Sequence, residues 1–134
     1  MENNRFQWKK VCIVGLGGHA KNRLIPAIEN SILDIDGIVS RQNIEKFKNY
    51  KIYDSIENAI KKVSSNTLFI ISTPPLSHFQ ISKKILENGF DLFVEKPAFI
   101  NTFELKILQN LAKEKNSILF EMFMYLETKT FEKA

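Results

Sequence analysis

A single cysteine, Cys12, is all the thiol the chain carries, which excludes an internal disulfide and a multi-cysteine metal site. It stands inside the apolar run Val11-Cys12-Ile13-Val14, so a packing role is expected, with a reactive thiol as the alternative. No apolar run approaches the roughly 20 residues that a membrane-spanning helix needs, and no membrane span is expected. The first ten residues, Met1 to Lys10, are polar and lack the hydrophobic centre of a signal peptide, which makes the cytoplasm the expected location. A compact basic stripe is missing too. The formal charge is +4, but Lys46, Lys48, Lys61, Lys62, Lys83, Lys84, Lys113 and Lys115 are scattered among glutamates along helical stretches. Without Arg or Lys clustered between exposed aromatics, nucleic acid is not an expected partner. Repeats, low-complexity tracts and internal linkers are absent.

What remains is an ordinary globular composition. With 134 residues, 44% hydrophobic and 25% charged, the chain can bury one real core and is too short for two ordinary domains. Short apolar runs alternate with amphipathic stretches. Val11–Val14 and Leu68–Ser72 are wholly apolar or nearly so, as strands buried on both faces are. Leu33–Ser40, Lys51–Tyr53, Phe90–Val94 and Ile118–Phe123 read as further strands. A helix is expected from about His19 to Asn30, kinked or shortened by Pro26, and a short one over Gln42–Asn49. Asp54-Ser55 can cap a helix running through Ala59 and Ile60. Ile81, Ile85 and Leu86 give another helix its stripe, with Leu76 or Ser77 opening it and Gly89 ending it. Thr102 to Lys115 forms the last, with Leu105, Leu108, Leu111 and Ala112 on one face. Strand and helix in regular alternation predict an α/β fold, a doubly wound, mostly parallel sheet in a single domain.

Such sheets bind ligands at the carboxyl ends of their strands, and three unusual segments fall there. Gly15-Leu16-Gly17-Gly18-His19-Ala20 fits Gly-x-Gly-x-x-Ala between a strand and a helix. Gly15 would permit the tight turn, Gly17 would let a pyrophosphate reach the backbone, and Ala20 would let helix and strand pack closely. The helix start would offer N–H groups to the phosphates. A tight turn alone explains such glycines; their position favours a dinucleotide. Second, Val39-Ser40-Arg41 ends a strand where NAD-selective sites place an Asp or Glu for the ribose. Asp34 and Asp36 come too early in the strand for that contact, whereas Ser40 and Arg41 could receive a 2′-phosphate. NADP is therefore expected ahead of NAD, against the alternative of a plain surface arginine. Third, Ser72-Thr73-Pro74-Pro75-Leu76-Ser77-His78 and Phe93-Val94-Glu95-Lys96-Pro97 both follow central strands and can line one crevice. A partly desolvated lysine beside Glu95 could donate or accept a proton. Alone, Glu-Lys-Pro is a common surface turn and His78 a packed or capping histidine; together at these strand ends they point to a site.

With these motifs in order from about Val11 to Tyr125, the chain resembles the glucose–fructose oxidoreductase, inositol dehydrogenase and MocA (Gfo/Idh/MocA) family. The glycine turn followed by Leu24-Ile25-Pro26-Ala27-Ile28 resembles its opening strand, loop and first helix, which gives Pro26 a home in a kinked helix. Thr73 to His78 resembles its Thr-Pro-x-x-x-His loop, and Glu87 to Pro97 its glutamate-lysine-proline signature with the strand before it. Phe120-Glu121-Met122-Phe123-Met124-Tyr125 is similar to the strand that closes the cofactor domain in dihydrodiol-dehydrogenase-like members. The resemblance implies a Rossmann fold and hydride transfer between NAD(P) and a hydroxyl or keto carbon of a sugar, cyclitol or sugar nucleotide. It implies that Lys96 contacts the reacting hydroxyl and assists proton movement. Glu95, Thr73, Pro74 and His78 would lie around the nicotinamide and its ribose, with Gly15, Gly17 and Ala20 at the pyrophosphate; Gly18, His19 and Pro75, in the same loops, are expected to bind cofactor too. No metal is implied.

On this reading residues 1–125 form the NAD(P)-binding domain, and residues 126–134 begin the connection to a C-terminal substrate domain that is absent from the chain. Leu126-Glu127-Thr128-Lys129 departs from the basic run that the matched subgroup carries after Tyr125. The isolated chain is accordingly expected to bind NADP(H) modestly without appreciable turnover. A non-catalytic module that senses NAD(P) or scaffolds a partner is the competing function, and a CoA- or phosphosugar-binding fold the remaining one. Apolar residues from Met122 to Phe131 could drive homo-oligomer formation or pack into the domain's own core.

Overall fold

The computed structural model describes residues 8–17, 20–41, 47, 49–95 and 101–122. Its strands are β1 (Lys10–Val14), β2 (Asp34–Val39), β3 (Ile52–Tyr53), β4 (Thr67–Ile71), β5 (Asp91–Glu95) and β6 (Leu119–Met122). They form one sheet in the order β3-β2-β1-β4-β5-β6, and every neighbouring pair is parallel. That is the order of a doubly wound dinucleotide-binding sheet, with the direction of winding reversing between β1 and β4. The helices are α1 (Ile25–Glu29), α2 (Ile56–Lys62), α3 (His78–Glu87) and α4 (Thr102–Lys115). Among the described residues no helix is long and apolar enough to cross a membrane.

The apolar run of β1 has a simple cause: the sheet is covered on both sides. Val11 and Ile13 join Ile38, Leu68, Ile70 and the α1 residues Ile25 and Ile28 on one face. Cys12 and Val14 join Phe69, Ile71, Leu92 and Val94 under α2, α3 and α4 on the other. Each fully buried aliphatic or aromatic side chain contributes roughly 1.5–3 kcal/mol, so the two clusters are what hold the helices to the sheet. Cys12 is wholly buried, and burial, aided by the nearby Asp36 charge, pushes its thiol far above the ordinary range. It is therefore a packing residue, not a reactive thiol.

Two elements differ from the sequence expectation. The long first helix is instead a wide π-helical turn, Ala20–Leu24, followed by α1, whose first turn holds Pro26. Proline lacks the N–H that an interior helical position donates, and the helix changes type directly ahead of it. The kink expected at Pro26 is thus a change of helix type just before it. Ahead of α3, Pro75–Ser77 forms a short 3-10 turn, so the α-helix opens at His78 rather than at Leu76 or Ser77. The expected helix over Gln42–Asn49 lies largely outside the described residues. α4 runs over the expected Thr102–Lys115, its Asn101 side chain accepting from the Glu104 N–H at 2.8 Å. Leu108 and Ala112 are its buried residues, while Leu105 is only half-buried.

The β1–β2 pairing contains a bulge that explains the placement of Asp36. Val11 pairs with Ile35 and Cys12 with Gly37, so Asp36 is the extra residue. Its carboxylate accepts from the Thr67 hydroxyl at 3.0 Å and the Ser64 N–H at 3.1 Å, which ties β2 to the start of β4. Gly37 is required beside it, because a Cβ there would lie 2.4 Å from the Tyr53 ring. Asp36 is committed to that end of the sheet, in agreement with its exclusion as a ribose ligand.

Candidate functional site at the carboxyl ends of the strands

Register fixes which loops share a rim. Val14 pairs with both Val39 and Ile71, and Ile71 with Val94. The segments beginning at Gly15, Ser40, Ser72 and Glu95 therefore leave the same edge of the sheet. Backbone bonds lock the strand ends together: Gly15 N–H to Val39 C=O at 2.9 Å, Ser72 N–H to Val14 C=O at 2.8 Å, and Ser40 N–H to Tyr53 C=O at 2.9 Å.

The glycine turn is shaped by its contact with the β4 loop. Gly15 has φ +105°, and a Cβ there would stand 2.8 Å from Thr73 Cγ2 and 3.0 Å from the Ser72 carbonyl oxygen. Gly17 differs. It is exposed, and a Cβ on it would meet no atom within 4 Å. Its carbonyl accepts from the Lys21 N–H at 3.0 Å, starting the helical turn, and Ala20 is fully buried against the sheet. The turn thus presses one glycine against the protein and leaves the other open to solvent. Gly18 and His19 lie outside the described residues.

The β4 loop is held from beneath. His78 is buried, and its Nε2 lies 2.6 Å from the Thr73 carbonyl oxygen. Since a carbonyl only accepts, Nε2 carries the proton in this bond. The Ser77 hydroxyl lies 2.6 Å from Thr73 Oγ1 and 2.7 Å from the Pro74 carbonyl oxygen. His78 consequently acts on the rim through the Thr73 backbone, while Pro74 and Pro75 are exposed. Glu95, half-buried, ends β5 opposite Met122 of β6. Lys96 lies outside the described residues.

Between the β1, β2 and β4 ends opens a cleft of about 510 Å³. Gly15, Ser40, Arg41, Thr73 and Pro74 line it, so five of the expected residues are brought to one space. His78, Pro75 and Glu95 are at the same rim but do not line the cleft. Four charged or polar residues that the sequence reading did not place at the site do line it: Asp54, Ser55, Glu57 and Lys84. Asp54 and Ser55 directly follow β3, and that place at a strand end is the local signal that marks them. Ser55 also caps α2, accepting from the Asn58 N–H at 3.1 Å, and Asp54 accepts from the Asn58 side-chain amide at 2.6 Å. Lys84 reaches the cleft from mid-α3 and pairs with Glu57; no local signal marks it.

The sequence profile of the Gfo/Idh/MocA oxidoreductase family, NAD-binding Rossmann fold, matches residues 9–123. The chain belongs to this family. An oxidoreductase of Formosa agariphila is 29% identical over 123 residues, covering 84% of this chain and 36% of the relative. Among solved structures, an NAD-binding protein from Listeria innocua superposes with a TM-score of 0.74 at 24% identity, covering 86% of this chain and 35% of that one. D-galactose-1-dehydrogenase from Rhizobium etli gives 0.73 at 22% identity, covering 84% and 36%. At these identities the structures show a shared fold. The chain spans about a third of the length of the relatives it matches. As a Gfo/Idh/MocA member it is an NAD-binding Rossmann domain of an oxidoreductase family, and the cleft stands where that fold holds its nucleotide.

Proposed function

We propose that the chain is the cofactor domain of an oxidoreductase that uses NADP in preference to NAD and acts on a hydroxyl or keto carbon of a carbohydrate-like substrate. One observation carries the reading: Gly15 at the start of the glycine turn, Ser40-Arg41 and Thr73-Pro74 converge on a single cleft at the carboxyl rim, with Gly17 beside it on the same turn. The residues present fit a dinucleotide. The empty space over Gly17 would let a pyrophosphate approach the backbone, and Ser40 and Arg41 could hold a 2′-phosphate by hydrogen bond and charge. When bound, the nicotinamide supplies the hydride acceptor or donor. The protein's part is to position that ring and to handle the proton. Thr73 and Pro74, steadied by His78, would border the nucleotide, and Glu95 would stand near the nicotinamide.

Lys96 carries the proton in this proposal, as the next residue after the β5 end and a match to the family's lysine. Its ammonium would donate to, and its amine accept from, the substrate oxygen as carbonyl and alcohol interconvert. The galactose dehydrogenase among the fold neighbours is in keeping with a sugar substrate. A cytoplasmic location, and a second domain completing the substrate pocket, belong to the same reading.

Calorimetric titration with NADPH and NADH tests the cofactor assignment: tighter NADPH binding is expected, and tighter NADH binding would overturn the preference. In a complete two-domain form, Lys96→Ala should lower kcat by about 100-fold or more while changing cofactor affinity little. An unchanged rate would remove Lys96 from the acid/base role.

A further inference from the structure

The cleft that Ser40 and Arg41 line also carries an ion pair that no sequence motif announces. Lys84, half-exposed on α3, reaches across to Glu57 in the first turn of α2. The neighbouring Lys83 behaves differently, pairing with Glu87 within its own helix at 2.8 Å, away from the cleft. Lys84 and Ile81, one helical turn apart, both face the cleft. The Lys84 hydrogen bond, chief among the causes, holds the Glu57 carboxyl below its ordinary range.

Among the described residues, four charged side chains line this space: Arg41, Lys84, Asp54 and Glu57. Their formal charges cancel. The Asp54 carboxylate is bonded to a neutral amide, so its charge stays in the cleft, while Glu57 offsets Lys84. A phosphate monoester carries about −1.5 to −2 at pH 7. Among the described residues, Arg41 without Lys84 would face such a group together with two carboxylates.

We infer that the Lys84–Glu57 pair sets the NADP/NAD preference, with Lys84 a second cation for the 2′-phosphate and Glu57 both holding it at the cleft and competing for it. This rests on the cofactor reading above and deepens it. Lysine suits the task, because its flexible four-carbon stem lets the ammonium turn from one anion toward another. A dianion attracts that ammonium more strongly than a carboxylate does, and NADH presents only a hydroxyl at the same place. The pair is thus blind to NADH and responsive to NADPH. Removing the lysine would leave the Glu57 charge uncompensated beside the phosphate. Removing the glutamate's charge would leave the cleft one unit more positive.

The test compares NADPH and NADH affinity in the unmodified protein, Lys84→Gln, Lys84→Arg and Glu57→Gln at low and high salt. Lys84→Gln should weaken NADPH by about fivefold, the upper range for exposed charge pairs, and leave NADH within about twofold. Glu57→Gln should tighten NADPH, and Lys84→Arg should keep the original preference. These differences should shrink in 1 M salt, where screening reaches about 3 Å. Equal losses for both nucleotides in Lys84→Gln, or no change in either, would overturn the inference alone. So would weaker NADPH binding in Glu57→Gln, a substitution on an exposed residue with little bearing on folding. An unmodified protein that binds neither nucleotide would overturn the cofactor reading, and this inference with it.

Discussion

At the amino-end rim of the sheet, carboxylates are spent on tying strands together; at the carboxyl-end rim, polar groups are left facing a cleft. Asp36 joins β2 to Ser64 and Thr67 at the start of β4. Asp91, first in β5, accepts from the Trp8 indole N–H and the Ile118 N–H, both at 2.7 Å, and so joins the segments entering β1 and β6. Trp8 also meets the Phe93 ring edge-on, 5.6 Å between centroids. At the other rim backbone bonds join the strand ends, side-chain bonds stay within the loops and helices, and Ser40, Arg41, Asp54, Glu57 and Lys84 line the cleft. One rim is tied by side chains across strands, and the other borders a cleft. The same residue type, aspartate, does opposite work at the two: Asp36 and Asp91 are structural staples, whereas Asp54 keeps its charge in the cleft.

Substitutions can break this contrast in graded steps. Gly15→Ala strikes the one point where the ligand rim is also structural, since it forces a side chain onto a positive φ and against the β4 loop. It should cost about 2–4 kcal/mol in urea unfolding and abolish cofactor binding; a stable, binding-competent variant would mean the turn can be made differently. Asp36→Ala should lower stability by roughly 1–3 kcal/mol, because two donors lose an ionised acceptor. Its nucleotide affinity, measured on the folded protein, should stay unchanged; a selective loss of affinity would place Asp36 on the wrong rim. Gly17→Ala meets no atom and should leave stability within about 0.5 kcal/mol. It should nevertheless weaken nucleotide binding by about tenfold, since the methyl group would occupy the approach to the backbone. Unchanged binding would remove Gly17 from the pyrophosphate contact.

The fold was legible because burial on both faces writes itself into local sequence. β1 and β4 read as strands from their unbroken apolar runs, and α4 from its leucine spacing. The rim assignments followed from topology alone, as Gly15, Ser40 and Thr73 each come directly after or just beyond a strand. What escaped was non-local. The bulge at Asp36 depends on the Tyr53 ring lying over Gly37 and on Thr67 waiting 31 residues away. The π-helical turn before Pro26 is a choice of hydrogen-bond partner that composition does not encode. Lys84 reads as one more surface lysine until α2 and α3 are packed side by side. Lys96, Gly18 and His19, central to the sequence argument, lie outside the described residues, and their roles rest on resemblance and position.

The division of labour between the rims can be read residue by residue from amide chemical shifts as NADPH is added to the unmodified protein. Shifts concentrated at Gly17, Ser40 and Thr73, with Ser64, Thr67 and Ile118 unmoved, are the predicted result. Shifts gathered at the Asp36 and Asp91 end, or no shifts with either NADPH or NADH, would contradict it.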